Sequence, residues 1–132
     1  MSSANTREHS ARIRELDESW KVAAANRDLD GMMANYAEDA EELMPGVPPI
    51  RGRDSIRAFY LNVLDQLPRF KHELNMHEII VADSADLAVA IGTYKFTPDT
   101  NRPAEVQTGK LISVWRNRDG DWRLLKNIAS SD

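Results

Sequence analysis

Histidine titrates closest to neutral pH, so His72 is the first residue in this chain to consider as a proton carrier. Three histidines are present. His77 lies five positions beyond His72 on a predicted strand and therefore points to the opposite face, and His9 is remote in sequence, so the spacing offers no converging metal ligands. There are no cysteines, which excludes disulfides, thiol nucleophiles and thiolate metal sites. No glycine-rich phosphate loop, serine elbow or redox motif occurs. Asp39, Glu41 and Glu42 follow a helical stretch and could supply a base from the mouth of a pocket, although a charged cluster at a helix end reads first as a solvated face. What remains is acid/base chemistry with no cofactor and no metal.

The elements that would hold such residues can be read from composition and periodicity. A chain of 132 residues with 42% hydrophobic content falls in the single-domain range, and it reads as one domain over residues 1–132 with 1–5 disordered. With 17 basic and 21 acidic residues spread along it, and a net charge of -4, the chain has no positive stripe for a nucleic acid. The N-terminal residues lack the apolar core of a secretory signal and no later run reaches membrane-spanning length, so a cytoplasmic protein without a membrane partner is expected.

Ile13, Leu16, Trp20 and Ala24 recur at helical spacing and predict an amphipathic helix from about Thr6 to Asn26. Leu29, Met32, Met33 and Tyr36 repeat the pattern behind an N-cap at Asp28. A short strand around Glu41 to Met44 and a proline-stiffened loop follow. Ile56, Phe59, Tyr60, Val63, Leu64 and Leu67 then mark one face of a third helix, stopped at Pro68 because the ring has no donor. Beyond it the period changes to two, giving strands at about 69–82, 86–97, 104–117 and 121–130. Turns are expected at Asp83-Ser84, at Pro98 to Pro103 and at Arg118-Asp119-Gly120-Asp121. The result is an α+β domain: a cone-shaped barrel in which a curved mixed or antiparallel sheet wraps around three N-terminal helices.

Tyr36-Ala37-Glu38-Asp39-Ala40 followed by Gly46-Val47-Pro48-Pro49-Ile50-Arg51-Gly52 and the third helix resembles the Δ5-3-ketosteroid isomerases. The whole element order resembles the nuclear transport factor 2-like superfamily. The segment Gly109 to Leu124 is similar to its SnoaL-like group, which resembles scytalone dehydratase in fold. In the isomerases an aspartate base works with an oxyanion hole made of a tyrosine and a protonated aspartic acid. The resemblance places Met44 where the base stands, Trp20 where the oxyanion tyrosine stands and Ser113 where the oxyanion acid stands. It therefore implies a similar cavity and argues against that isomerase mechanism. It also implies that Tyr36 and Tyr60 aim hydroxyls into the cavity.

If Ser113 faces inward, alternation puts Leu111 and Trp115 beside it, the row Leu87, Val89, Ile91 and Thr93 on the preceding strand, and His72, Leu74, Met76 and Glu78 on the first long strand. Scytalone dehydratase, which this chain resembles in fold, uses inward histidine, aspartate, asparagine and tyrosine residues for a cofactor-free elimination; that resemblance implies His72, Tyr36, Tyr60 and Asn127, with Ser113, as the catalytic set. A one-residue shift after Gly120 would send Lys126 inward instead of Asn127, an arrangement disfavoured by the cost of an unpaired lysine in an apolar cavity. Trp20, Met32, Met44, Phe59, Leu74, Met76, Val89, Ile91, Leu111 and Trp115 are the expected ligand-binding set. Two functions fit. One is cofactor-free isomerisation, cyclisation or dehydration of an apolar oxygenated small molecule; the other is a non-catalytic ligand-binding or dimeric assembly module. The outer sheet face, read as Ala88, Ala90, Tyr94, Val106, Ile112, Val114 and Leu125, is apolar enough to predict a homodimer through it.

Overall fold

The computed structural model describes residues 3–67, 69–98 and 105–132. Helix α1 (Ser3–Ala25) starts earlier than the periodicity suggests; of the stretch expected to be disordered, residues 1 and 2 lie outside the described residues. Its apolar stripe, with Ile13 and Ala24 fully buried, packs on the sheet. Helix α2 (Leu29–Met33) is capped as expected, the Asp28 carboxylate accepting from the Gly31 amide at 3.1 Å. It is shorter than expected. Tyr36 does not extend it but opens strand β1 (Tyr36–Leu43), where it pairs with Leu124. A residue four beyond Met32 keeps helical spacing by coincidence; the parallel ladder claims its backbone instead. Strand β2 (Ile50–Arg51) leads through Gly52, at φ 89°, into helix α3 (Arg53–Gln66). The Gly52 amide donates to the Ala40 carbonyl at 2.8 Å and so fixes the start of α3 against β1. Pro68, expected to end this helix, lies outside the described residues.

Strands β3 (Phe70–Val81), β4 (Leu87–Pro98), β5 (Gln107–Arg118) and β6 (Asp121–Ser131) follow the sequence pattern closely. The six strands form one mixed sheet in the order β2-β1-β6-β5-β4-β3, with β1 parallel to β6 and every other pair antiparallel. Asp119 and Gly120, at φ 56° and 84°, make the two-residue turn whose twist suits a hairpin. At the β3–β4 turn, Ala85 takes the left-handed conformation rather than Asp83 or Ser84. The turn expected over 98–103 falls, beyond Pro98, outside the described residues. Among the described residues no helix is long and apolar enough to cross a membrane.

Which side chains enter the cone depends on two irregularities. On β6, Trp122 and Leu124 point inward; the register then shifts opposite Val114/Trp115, so the inward set continues with Asn127 rather than Lys126. On β3 a shift between Met76 and Glu78 has the same effect: His72, Leu74 and Met76 face in, but Glu78 does not, and Ile79 and Val81 take over. The β4 row is a correction. Ala88, Ala90, Gly92 and Tyr94 face the concave side, opposite Trp115, Ser113, Leu111 and Gly109, whereas Leu87, Val89, Ile91 and Thr93 face out. The concave side of a curved sheet is crowded and takes short side chains beside large neighbours; the convex side diverges and accommodates Val and Ile. The outer apolar face accordingly consists of the rung Leu43–Ile128–Ile112–Ile91 with Ile80, Val89 and Val114 beside it, not Ala88, Ala90 or Tyr94.

Gly92 sits at the tightest point of the β3 irregularity, where an added Cβ would lie 2.3 Å from the Asn75 carbonyl oxygen. Gly92→Ala is expected to lower unfolding stability by about 1–3 kcal/mol, the usual scale for overpacking, read from the urea midpoint; an unchanged midpoint would show that the strands do not approach so closely.

Candidate functional site

A cavity of about 320 Å3 opens between α1, α3 and the concave face of the sheet. Its walls are mainly apolar. Trp20, Met32, Met44, Phe59, Leu74, Met76, Leu111 and Trp115 line it as the sequence suggested, while Val89 and Ile91 are on the convex face and do not. Tyr36, Tyr60, His72, Ser113 and Asn127 all reach the same cavity.

The polar groups are organised by a carboxylate that does not itself line the cavity. Glu42 on β1 is completely buried. Its Oε1 accepts from the Tyr36 hydroxyl and, at 3.4 Å, from the Tyr60 hydroxyl on α3; its Oε2 accepts from Asn127 Nδ2 at 3.0 Å. Asn127 Oδ1 in turn accepts from Ser113 Oγ at 2.9 Å. Glu42, Asn127 and Ser113 are partners along one rung of the sheet, from β1 through β6 to β5, so the register alone lines up this part of the chain. Only Tyr60 comes from a separate layer.

Burial pushes the Glu42 carboxyl above its ordinary range, against the three hydrogen bonds that favour its charged form. The phenols of Tyr36 and Tyr60 are raised well above theirs by burial and by the adjacent Glu42 charge, and so remain protonated donors. The Glu42 carboxyl, with its affinity for a proton raised, can take one up or release it through the hydroxyls that surround it.

Glu42 is the residue that sequence reasoning misplaced, as part of a solvated acidic cluster. Asp39 does face outward, where it is held by Arg116 through two contacts at 3.0 and 3.1 Å, and Glu41 pairs with Arg51 at 2.7 Å and with Lys126. Adjacent residues on a strand face opposite ways, so with Glu41 outside, Glu42 must be inside. That signal is legible once residues 36–43 are read as strand rather than helix. The same pairing takes Lys126 to the outside, away from the cavity.

His72 has an aromatic setting: the rings of Trp20, Phe96 and Tyr94 lie 5.2, 5.8 and 6.3 Å away. Burial lowers its pKa to about 4, so the imidazole is neutral at physiological pH. Asp17 of α1 also lines the cavity, with its carboxyl raised by burial, and was not singled out from the sequence. Among the described residues no three His, Asp or Glu side chains converge as metal ligands.

Because the folded protein raises the Glu42 carboxyl above its ordinary 4.5, it binds that proton more tightly than the unfolded chain does. The associated stability is present below about pH 4.5 and is lost as pH rises through the folded value. Gln at this position does not titrate, and an Asn127 amide flip would let the chain to Ser113 reverse its direction. The stability of Glu42→Gln relative to the native protein is therefore expected to improve as pH rises from about 4.5 towards neutrality, followed by urea unfolding across that range; a pH-independent difference would refute the shift.

Comparison with known proteins agrees with this architecture. The family model for the SnoaL-like domain matches residues 17–125. No curated protein matches the chain. An NTF2-like protein of unknown function from Pseudomonas putida is 22% identical, with all of this chain and 89% of that one covered at a TM-score of 0.78. A ketosteroid isomerase-like protein from Erwinia carotovora is 21% identical over 92% of this chain and 94% of its own, at 0.74. An NTF2-like protein with a cystatin-like fold from Novosphingobium aromaticivorans is 19% identical over 94% and 82%, at 0.81. These likenesses concern the fold. With the six-stranded curved sheet, the helical layer and a family match over most of its length, the chain belongs to the SnoaL-like domain family.

Proposed function

We propose that this protein binds an apolar, oxygenated small molecule in the cone cavity and shifts a proton on it without a cofactor, as an isomerase, cyclase or dehydratase would. The observation that carries the reading is the buried Glu42 carboxylate behind Tyr60, Tyr36 and Asn127 at the wall of a mainly apolar cavity. Tyr60 is the route between them: its hydroxyl oxygen accepts a proton from the bound molecule as its own proton passes to Glu42, and the reverse transfer returns a proton at another position. Ser113 acts through Asn127, which holds the Glu42 Oε2 in place. His72, neutral and ringed by aromatics, contributes a hydrogen-bonding wall rather than the proton shuttle suggested by its residue type alone. The isomerase mechanism of the related family has no counterpart, since Met44, Trp20 and Ser113 stand at its three positions.

The experiment is a native mass spectrum of the purified protein and a thermal-shift screen against steroids, polyketide-like aromatics and terpenoid ketones, followed by turnover assays on the stabilising compounds. Glu42→Gln and Tyr60→Phe are each expected to lower kcat by about 100- to 10,000-fold, the range for loss of a general acid/base, with KM little changed. Full turnover in both variants would overturn the assignment.

A second reading, an assembly module, is favoured by the outer face, where Ile80, Leu87, Ile112 and Ile128 are all exposed. A homodimer built on that face would be seen by light scattering at micromolar concentration and dissolved by Ile112→Glu; a native protein that is monomeric there would dismiss it.

A further inference from the structure

We infer that the cavity takes a ring compound bearing a protonated amine, and that the Asp17 carboxylate on α1 holds its ammonium group. This rests on the reading of the cavity as a binding site, and it adds the charge of the ligand and the residue that selects it. Asp17 lies four residues after Ile13 and three before Trp20, so it falls on the inward stripe of the helix, where an apolar residue is the usual choice. Its side chain is half-buried and lines the cavity. Two cations, Lys21 and Arg14, are near enough to act on it through space, and both are committed elsewhere. Lys21 Nζ pairs with Glu18 at 2.8 Å and donates to the Leu74 carbonyl at 3.4 Å, while Arg14 donates to the Met76 carbonyl at 2.7 Å. Among the described residues no donor bonds to the Asp17 carboxylate, and burial raises its pKa. A carboxylate held partly away from water without a partner is costly, and a donor brought in by a ligand offsets that cost.

The rest of the cavity favours a cation over a neutral donor. No lysine or arginine is among the described residues that line it, and His72, the one other side chain there that could become a cation, is neutral. The Glu42 carboxyl lies behind the wall with only hydroxyls and an amide bonded to it. Asn35 adds an acceptor to the lining: its Nδ2 donates to the Leu16 carbonyl at 2.9 Å and to Ser19 Oγ at 3.3 Å, which leaves its side-chain oxygen for a ligand. Aromatic rings complete the wall, with Trp20 from α1, Phe59 and Tyr60 from α3 and Phe96 from β4. Ring faces attract an ammonium, most strongly where water is excluded. A carboxylate among such rings with no competing cation is the composition of an ammonium site, whereas an anionic ligand meets like charge there. An ammonium anchored on α1 leaves the Tyr60 hydroxyl, on α3, to the oxygenated part of the same molecule.

The test uses three compounds with one ring system and three charges: 1-naphthylmethylamine, which is protonated at neutral pH, 1-naphthylmethanol and 1-naphthoate. Binding of each to the full-length protein is measured by calorimetric titration at neutral pH. The amine is expected to bind about ten-fold more tightly than the alcohol, the worth of one charge-assisted hydrogen bond, and the carboxylate more weakly than either. In Asp17→Asn, which keeps the shape and removes the charge, the amine should lose that advantage while the alcohol binds as before; Asp17→Ser serves the same comparison if the amide variant does not fold. Equal binding of amine and alcohol to the native protein, or an amine preference that survives loss of the Asp17 charge, would overturn this inference and leave the cavity reading standing. Failure of all three compounds to bind up to their solubility limits would overturn both.

Discussion

Burying the Glu42 carboxyl inside the sheet is the constraint around which the rest of the interior is arranged. An ionised group without water must be surrounded by donors or it neutralises, and here the donors are a rung neighbour, a residue earlier on the same strand and a residue on the opposing helix. Each satisfies the carboxylate only if its own element is in place. Asn127 requires the β6 register, Tyr36 requires the chain to leave α2 early, and Tyr60 requires α3 to start where the Gly52 amide meets Ala40. The polar group is costly alone, and it couples the parallel β1–β6 edge to the helical layer.

The irregularities in the sheet do the positioning. Perfect alternation along β6 would continue from Trp122 and Leu124 to Lys126, placing an ammonium among apolar side chains. The shift beside Leu125 exchanges it for an amide that can donate to Glu42 and accept from Ser113 with the same side chain. Lys126 then meets Glu41 outside. On β3 the comparable shift keeps Glu78 out of the cavity and brings Ile79 and Val81 into the core. In both cases one extra residue converts a wall that would carry a charge into one that does not.

The cavity therefore has an uneven chemistry. One side is a closed hydrogen-bonded chain in which the donors have already found acceptors, while the rest of the wall is mainly aliphatic and aromatic. The burial that makes His72 a poor base at neutral pH is the same condition that raises Glu42. Desolvation lowers the pKa of a cation-forming group and raises that of an anion-forming one, so a single apolar environment pushes the imidazole and the carboxyl in opposite directions.

The order and type of nearly every element, the cone architecture and most of the cavity wall were legible in the chain, because helical and strand periods are local properties and α3 and the four long strands are strongly patterned. A family resemblance also picked out Tyr36, Tyr60, Ser113 and Asn127, and the cost of an unpaired lysine favoured Asn127 over Lys126, without revealing what the four share. The packed fold was needed for the remainder: the phase of β4, which sends Val89 and Ile91 outward; the shift that turns Asn127 inward; and the fate of Glu42. These depend on register between strands distant in sequence. A carboxylate in a charged run looks solvated until the partner strand shows that its two acidic neighbours already occupy the outer face.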